Sequence, residues 1–441
     1  MRPGGLTVAH KYSRRQFLEQ AALAGGALAL GGGAALAAKP SAGLPHPKHS
    51  GIEHVVVLTM ENRSFDHLLG WLPGADGRQA GLTYVDSNGV PHTTYPLAPD
   101  YQGCGHPDPD HSYSGGRVEY DNGACDGWLR AGSNDVYAIG YYTQSDVAFL
   151  ASAAPGWTTF DRYFAAMLGP TFPNRFHMHA AQTDRLSNTF ELSTLPTIWD
   201  RLAAAGLTGR YYFSDAPFLG LWGPKYFPIS RTIDHFFDDC ASGTLPQVSY
   251  VDPSFLGEEA GTSTDDHPHA DIRNGEVFMN TIYQAVTSSP DWKHTVLVIT
   301  YDEWGGFFEH VPPPTAPIPP ASAAAGDTDG RLGFRVPALV ISPYAERGAI
   351  SHDVFDHTSI LRMIEWRWGL PPLTVRDETA ANLALTLDFN KPNRTAPVYA
   401  IAPGPYGAPC PNTTTSSAAV PEENEWIAVR ALAQSYGWNI P

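Results

Sequence analysis

An α/β fold with a mostly parallel sheet flanked by helices, and with long loop insertions, is predicted by three features of this 441-residue sequence. The segments His54 to Thr59 and Thr295 to Thr300 are apolar through their centres rather than alternating, as in strands buried on both faces of a parallel sheet. Helical and strand patterns then alternate from about Thr197 to Trp368. Finally, both apolar segments run into acids, Glu61 beside Asn62 and Asp302 beside Glu303. The C-terminal edge of such a sheet is where ligands bind.

In chain order, Ser13-Arg14-Arg15-Gln16-Phe17-Leu18 precedes a weakly hydrophobic Ala/Gly/Leu run from Ala21 to Ala38, closed by the small residues of Ala35-Leu36-Ala37. This is the pattern of a twin-arginine signal peptide over residues 1–38, too short and glycine-rich for a membrane span. It implies the twin-arginine machinery as a partner, no transmembrane anchor, and a periplasmic, cell-wall-associated or secreted destination. A Pro/His linker over 39–50 leads to one domain over 51–441. Its first strand, His54 to Thr59, is followed from about Gly70 to Gly132 by Gly-, Pro-, Asp- and Tyr-rich sequence without a period, read as long functional loops.

Helical patterning returns at Ser145 to Ala154 and again from Asn174 to about Thr183, opened by Gly169-Pro170-Thr171-Phe172-Pro173. Helices are further expected at Thr197 to Ala205, Asp271 to Ser288 and His357 to Trp368, and strands at Arg210 to Phe213, Gln247 to Val251 and Val336 to Ser342. The Pro/Ala-rich stretch from Pro312 to Ala325 reads as a mobile loop or lid. Signals weaken beyond Asp377.

With 28 basic against 45 acidic residues, the formal charge of -17 repels nucleic acid and anionic surfaces. An anionic substrate therefore requires a locally positive pocket, supplied by a bound cation or by placed Arg and His. Four cysteines in a chain bound for an oxidising compartment suggest disulfides, with Cys104 to Cys125 the first choice because the two bracket one loop.

Glu61, Asn62, Asp302 and Glu303 at strand ends, with Thr171 at a loop-to-helix start, offer the carboxylate, amide and hydroxyl oxygens that suit a hard divalent cation. Each also has a plainer reading: helix caps near Ser64 for the first pair, turn acids before Gly305-Gly306 for the second.

Longer motifs add specificity. Ile52 through His67, Gly169 through Arg175, His267-Pro268 with Asp271-Ile272-Arg273, Thr300 through Val311, and Phe355 through Arg362 together resemble the bacterial phosphoesterase family of non-haemolytic phospholipases C and acid phosphatases. The resemblance implies an alkaline-phosphatase-like fold and a phosphoesterase catalytic domain over 51–441. It further implies one or more divalent metal ions held by Glu61, Asn62, Thr171, Asp302 and Glu303. Thr171 matches the family's nucleophile, and His111 and His267 match histidines around the phosphate. Asn174, Arg175 and His310 fall inside motifs and are expected at the substrate. Where many relatives have His after the Asp-Glu pair, this chain has Trp304.

A phosphate ester is thus the expected substrate, with a phospholipid diester ahead of a phosphomonoester. The aromatic stretch Tyr211 to Phe227 could cage a choline head group, although packing explains such runs as well. An exported binding protein without catalysis is the alternative of a different class. Oxygen donors point to Mg, Ca or Mn, and the histidines keep Zn open.

Overall fold

A computed structural model describes residues 43–411 and 422–440, so the twin-arginine motif lies outside the described residues. The central sheet has eight strands: β1 His54–Met60, β2 Thr158–Phe160, β3 Gly209–Phe213, β4 Ser230–Thr232, β5 Val248–Val251, β6 Thr295–Tyr301, β7 Ala338–Ile341 and β8 Ile350–Ser351. Their order across the sheet is β8-β2-β7-β6-β1-β5-β3-β4. All pairings are parallel except those of β7, which runs against β6 and β2. β6 is buried along its whole length and β1 at every position but His54, which explains their unbroken apolar character.

The register decides the chemistry of the sheet edge. Met60 lies opposite Tyr301 and Leu58 opposite Val251. The next residues along β1 and β6 are Glu61 and Asp302, and the residue after β5 is Asp252. Three parallel strands thereby deliver three carboxylates to one edge.

The helices that matter to this edge are α1 Phe65–Leu69, α2 Thr171–Ala180, α3 Ile272–Ser288, α4 His357–Trp368 and α5 Glu422–Ser435. Ser64, not Glu61 or Asn62, caps α1 by accepting from the His67 amide. Asp271 caps α3. Thr171 is the first residue of α2, three positions earlier than the sequence pattern suggests, because Pro170 and Pro173 suit a first turn that has no partner for its N–H groups. α5 lies in the stretch where sequence signals fade. The Pro/Ala-rich stretch is fastened at its end: Pro320–Ala325 is helical, and buried Ser322 accepts from the Thr183 amide.

The expected Cys104 to Cys125 bridge is corrected to Cys104–Cys410, with Cys125 and Cys240 buried as thiols. The segment near Cys410 crosses the loop carrying Cys104, where Gln102 Nε2 also donates to the Ala408 carbonyl at 2.8 Å. That proximity spans 306 residues, and local spacing carries no trace of it.

α2 is buried on every side, and burial lowers the pKa of both its histidines, His177 and His179. Burial, reinforced by Arg175, pushes His179 down to about 3, and its Nδ1 has no hydrogen-bond partner among the described residues. A group depressed on folding loses its contribution as pH falls from its unfolded pKa toward its folded one, because the unfolded chain takes the proton first. His179 packs against Tyr250 and Phe218 with ring centroids at 4.8 and 5.7 Å. His179→Phe keeps that packing and is expected to gain about 2 kcal/mol over wild type between roughly pH 8 and pH 5, measured by urea unfolding at both. Parallel pH dependences of the two proteins would contradict this.

Candidate active site

Arg175, on the second turn of α2, occupies the centre of the sheet edge. Its Nη2 lies 3.1 Å from Glu61 Oε1, its Nη1 donates to Asp252 Oδ1 at 2.9 Å, and its Nε donates to Asp302 Oδ2 at 2.9 Å. Burial opposes its charge, but Asp252, Asp302 and Glu61 hold its pKa above the usual guanidinium value. Burial in turn raises Asp252 despite Arg175, and Tyr211 donates its hydroxyl to Asp252 Oδ2. Arg175 therefore ties the three strand-end acids together.

Asn62 turns the chain out of β1 in the left-handed region at φ 61°, a conformation Asn tolerates. Its amide donates to Asp302 Oδ1 at 3.3 Å, and its Oδ1 accepts from Thr171 Oγ at 3.3 Å. Asp302 Oδ1 also accepts from the Glu303 amide at 2.8 Å, and Glu303 Oε2 accepts from the Gly305 amide at 2.7 Å. Gly305 has to be glycine: its φ is +64°, and a Cβ there would stand 2.0 Å from the Asn62 carbonyl oxygen. The two motifs are thus locked backbone to backbone.

The loop before Thr171 is clasped from inside. Asn174 Nδ2 donates to the Gly169 and Pro170 carbonyls at 2.7 and 3.1 Å, while its Oδ1 accepts from the Met167 amide at 2.9 Å. Arg376 Nη2 donates to the Ala166 carbonyl at 2.7 Å. Asn174, expected from sequence at the substrate, shapes the threonine loop through these contacts. Thr171 itself stands fully buried at the positive end of a ten-residue helix.

His111 and His267 close the other side, with ring centroids 6.2 Å apart. His111 Nδ1 donates to the Pro109 carbonyl at 2.8 Å, and its Nε2 lies 3.9 Å from Glu303 Oε1. His267 Nδ1 lies 3.3 Å from Glu258 Oε2, and its Nε2 lies 3.8 Å from Asp108 Oδ2. His310 is placed elsewhere. Its Nδ1 meets Asp66 Oδ2 at 2.5 Å and its Nε2 meets Asp76 Oδ1 at 3.1 Å, inside a network that also holds Glu309 and Arg335. Ion pairs with Asp66, Asp76 and Glu309 make up its surroundings. Trp304 is buried and donates to Glu119 Oε2 at 2.8 Å.

The donor set fits a divalent cation. Glu61, Asp252 and Asp302 surround the Arg175 guanidinium, Glu258 and Asp265 lie beside Glu61, and Asp108 and Glu303 lie against the His267 and His111 rings. Two ligand groups fall within it, Glu61 with Glu258 and Asp265, and Asp108 with His111 and His267, the ligand atoms of each lying within 4.8 Å of one another. Asp265 Oδ2 and Asp108 Oδ1 are buried and accept no hydrogen bond among the described residues. Burial raises Asp265 well above the carboxylate range and lifts Asp266 to about 7. Buried negative charge in such excess calls for a bound cation or for protons.

Sequence reading missed Asp252, Glu258, Asp265 and Asp108 as site residues. Asp252 follows an apolar strand just as Glu61 and Asp302 do, so the same rule finds it. Asp265 stands two residues before His267. Glu258 sits in a loop and carries no sequence signal.

Comparison with known proteins adds to the geometry. A model described as the Phosphoesterase family matches residues 52–371. Phospholipase C A of Mycobacterium tuberculosis (strain H37Rv) is 32% identical over 87% of this chain and 87% of its own. Non-specific phospholipase C6 of Arabidopsis thaliana is 31% identical, covering 76% and 72% respectively. Among solved structures, the lipoteichoic acid synthase LtaP of Listeria monocytogenes aligns with a TM-score of 0.41 at 11% identity, over 92% of this chain and 97% of that one.

Proposed function

The chain belongs to the phosphoesterase family, and from that premise we propose that it hydrolyses phosphate esters, phospholipid diesters before monoesters, through Thr171 as nucleophile. The observation that carries the reading is the Thr171 hydroxyl, buried at a helix N-terminus and 3.3 Å from Asn62 Oδ1, beside the Asp302-Glu303 turn. Glu61, Asn62, Thr171, Asp302 and Glu303 would hold a divalent cation. When bound, it supplies positive charge to the phosphate oxygens and lowers the pKa of the threonine hydroxyl.

The chain's own groups account for the remaining steps. The Thr171 hydroxyl proton leaves to a neighbouring carboxylate or solvent as Oγ forms its bond to phosphorus. The bond from phosphorus to the leaving alcohol breaks, and His111 or His267 gives the alkoxide a proton. Water then attacks phosphorus on the modified Thr171, the same histidine takes a proton from it, the bond from phosphorus to Thr171 Oγ breaks as Oγ regains a proton from the neighbouring carboxylate or solvent, and free phosphate or a phosphomonoester departs. Arg175 holds Glu61 and Asp302 in place throughout, and Asn174 keeps the Thr171 loop from relaxing.

The relatives' names favour phospholipase C-like cleavage over phosphomonoester hydrolysis. Export through the twin-arginine route is part of the proposal, with residues 51–441 as the catalytic domain. The Cys104–Cys410 disulfide suits an oxidising compartment, and among the described residues no helix is long and apolar enough to cross a membrane. A panel of p-nitrophenyl phosphate, p-nitrophenyl phosphorylcholine and phosphatidylcholine tests the substrate class. Faster turnover of the two diesters is expected, and a preference for the monoester would replace this reading with the phosphatase one. Chelation followed by dialysis should remove activity, and adding back Mg, Mn, Ca or Zn singly should identify the ion that restores it.

A further inference from the structure

α5 lies beyond the family-matched segment, yet three of its residues reach three different walls of the site. Trp426 is fully buried, donates its indole N–H to Glu61 Oε2 at 3.2 Å, and stacks on Phe255 with ring centroids 3.7 Å apart and planes 3° from parallel. The Arg175 guanidinium lies over both rings, 5.4 Å from the Trp426 centroid and 4.8 Å from that of Phe255. Glu423 accepts from the Gly257 amide at 2.9 Å and the Glu259 amide at 3.1 Å, and so grips the residues on both sides of Glu258, the partner of His267. Glu425 accepts from Asn188 Nδ2 at 2.6 Å, and Asn188 Oδ1 accepts from the amide of Phe172, the residue after Thr171.

We infer that Trp426 is a positioning residue for Glu61, and that α5 is a strap setting the geometry of the cation site from outside the family's common segment. A carboxylate oxygen has two lone pairs, so Glu61 Oε2 can accept from the indole and still face a cation, now in one fixed orientation. The Phe255 stack and the Arg175 contact prevent the indole from turning away. Outer partners that orient a metal ligand typically change metal affinity by about 10- to 100-fold when removed. This inference rests on the proposal that Glu61 holds a cation.

The test uses the full mature chain, stripped of metal and titrated with Mn2+, the free ion being read by electron paramagnetic resonance. Trp426→Phe keeps a stacking ring and loses the N–H. The expected result is Mn2+ binding weaker by about 10-fold, with kcat reduced at limiting Mn2+, restored at saturating Mn2+, and KM for the ester little changed. Replacing Trp426 with β-(3-benzothienyl)alanine, which keeps the indole shape with sulfur in place of N–H, should reproduce the loss in a fold with unaltered packing. Ile427→Ala, at an exposed position of the same helix, should behave as wild type. The inference is overturned if the benzothienyl variant binds Mn2+ as tightly as wild type, while wild-type metal binding and ester hydrolysis leave the proposed function standing. A wild-type protein that hydrolyses esters without binding a divalent ion overturns both.

Discussion

Thr171→Ala is expected to lower kcat by about 1000-fold or more on every ester the protein cleaves, with the fold preserved. The structural effect of the substitution is small. The Thr171 hydroxyl donates to Asn62 Oδ1 at 3.3 Å, and loss of one such bond costs about 1 kcal/mol. The chemical effect is large because no neighbour can replace an oxygen placed at both a helix N-terminus and the carboxylate cluster. Thr171→Ser restores the oxygen and should recover much of the activity. Steady-state kinetics of the three proteins, each checked for an unchanged melting temperature, decide the matter. Equal activity in wild type and the alanine variant would remove the threonine from the mechanism.

Arg175→Met is expected to destabilise the protein by about 3–5 kcal/mol near neutral pH, the effect of taking one partner from a buried ionic cluster. Glu61, Asp252 and Asp302 would be left facing one another at the sheet edge without the guanidinium that bridges them. The pH dependence gives the sign of the effect. Without Arg175 the three carboxylates titrate higher in the folded protein, so folding favours their protonated forms and the deficit shrinks as pH falls through the carboxylate range. Urea unfolding near pH 7 and near pH 5 should show a larger gap from wild type at the higher pH. A gap of the same size at both would mean that Arg175 contributes packing against Phe255 and Trp426 rather than charge.

Much of the sheet was legible because its central strands are buried on both faces and must be apolar throughout. Glu61 and Asp302 stood out for the same reason, as acids that end such runs. Asp252 ends a shorter run and was passed over, although the register places it beside the other two. The reversed direction of β7 left no mark, since a four-residue buried strand reads alike in either orientation. Thr171 was found from its motif, but its position at the first turn of α2 depends on prolines whose effect varies with tertiary context. The Cys104–Cys410 bridge, Glu258 and Trp426 were beyond reach for another reason. Each becomes meaningful only when distant loops meet, and the contact between Trp426 and Glu61 joins residues 365 apart. His310 shows the converse: its motif stands out in the sequence, whereas its ion pairs with Asp66, Asp76 and Glu309 emerge only from the fold.

The most direct measurement of the central claim is capture of the covalent intermediate. Metal-loaded protein mixed with excess p-nitrophenyl phosphorylcholine and quenched in acid within the first turnovers should yield, after digestion, a peptide containing Thr171 that carries one phosphorylcholine group, or one phosphoryl group when p-nitrophenyl phosphate is the substrate. The same peptide should stay unmodified in Thr171→Ala. The modifying group appearing on another residue, or none on Thr171 when release of p-nitrophenol shows turnover and the quench retains an independently added phosphothreonine standard, would contradict the account.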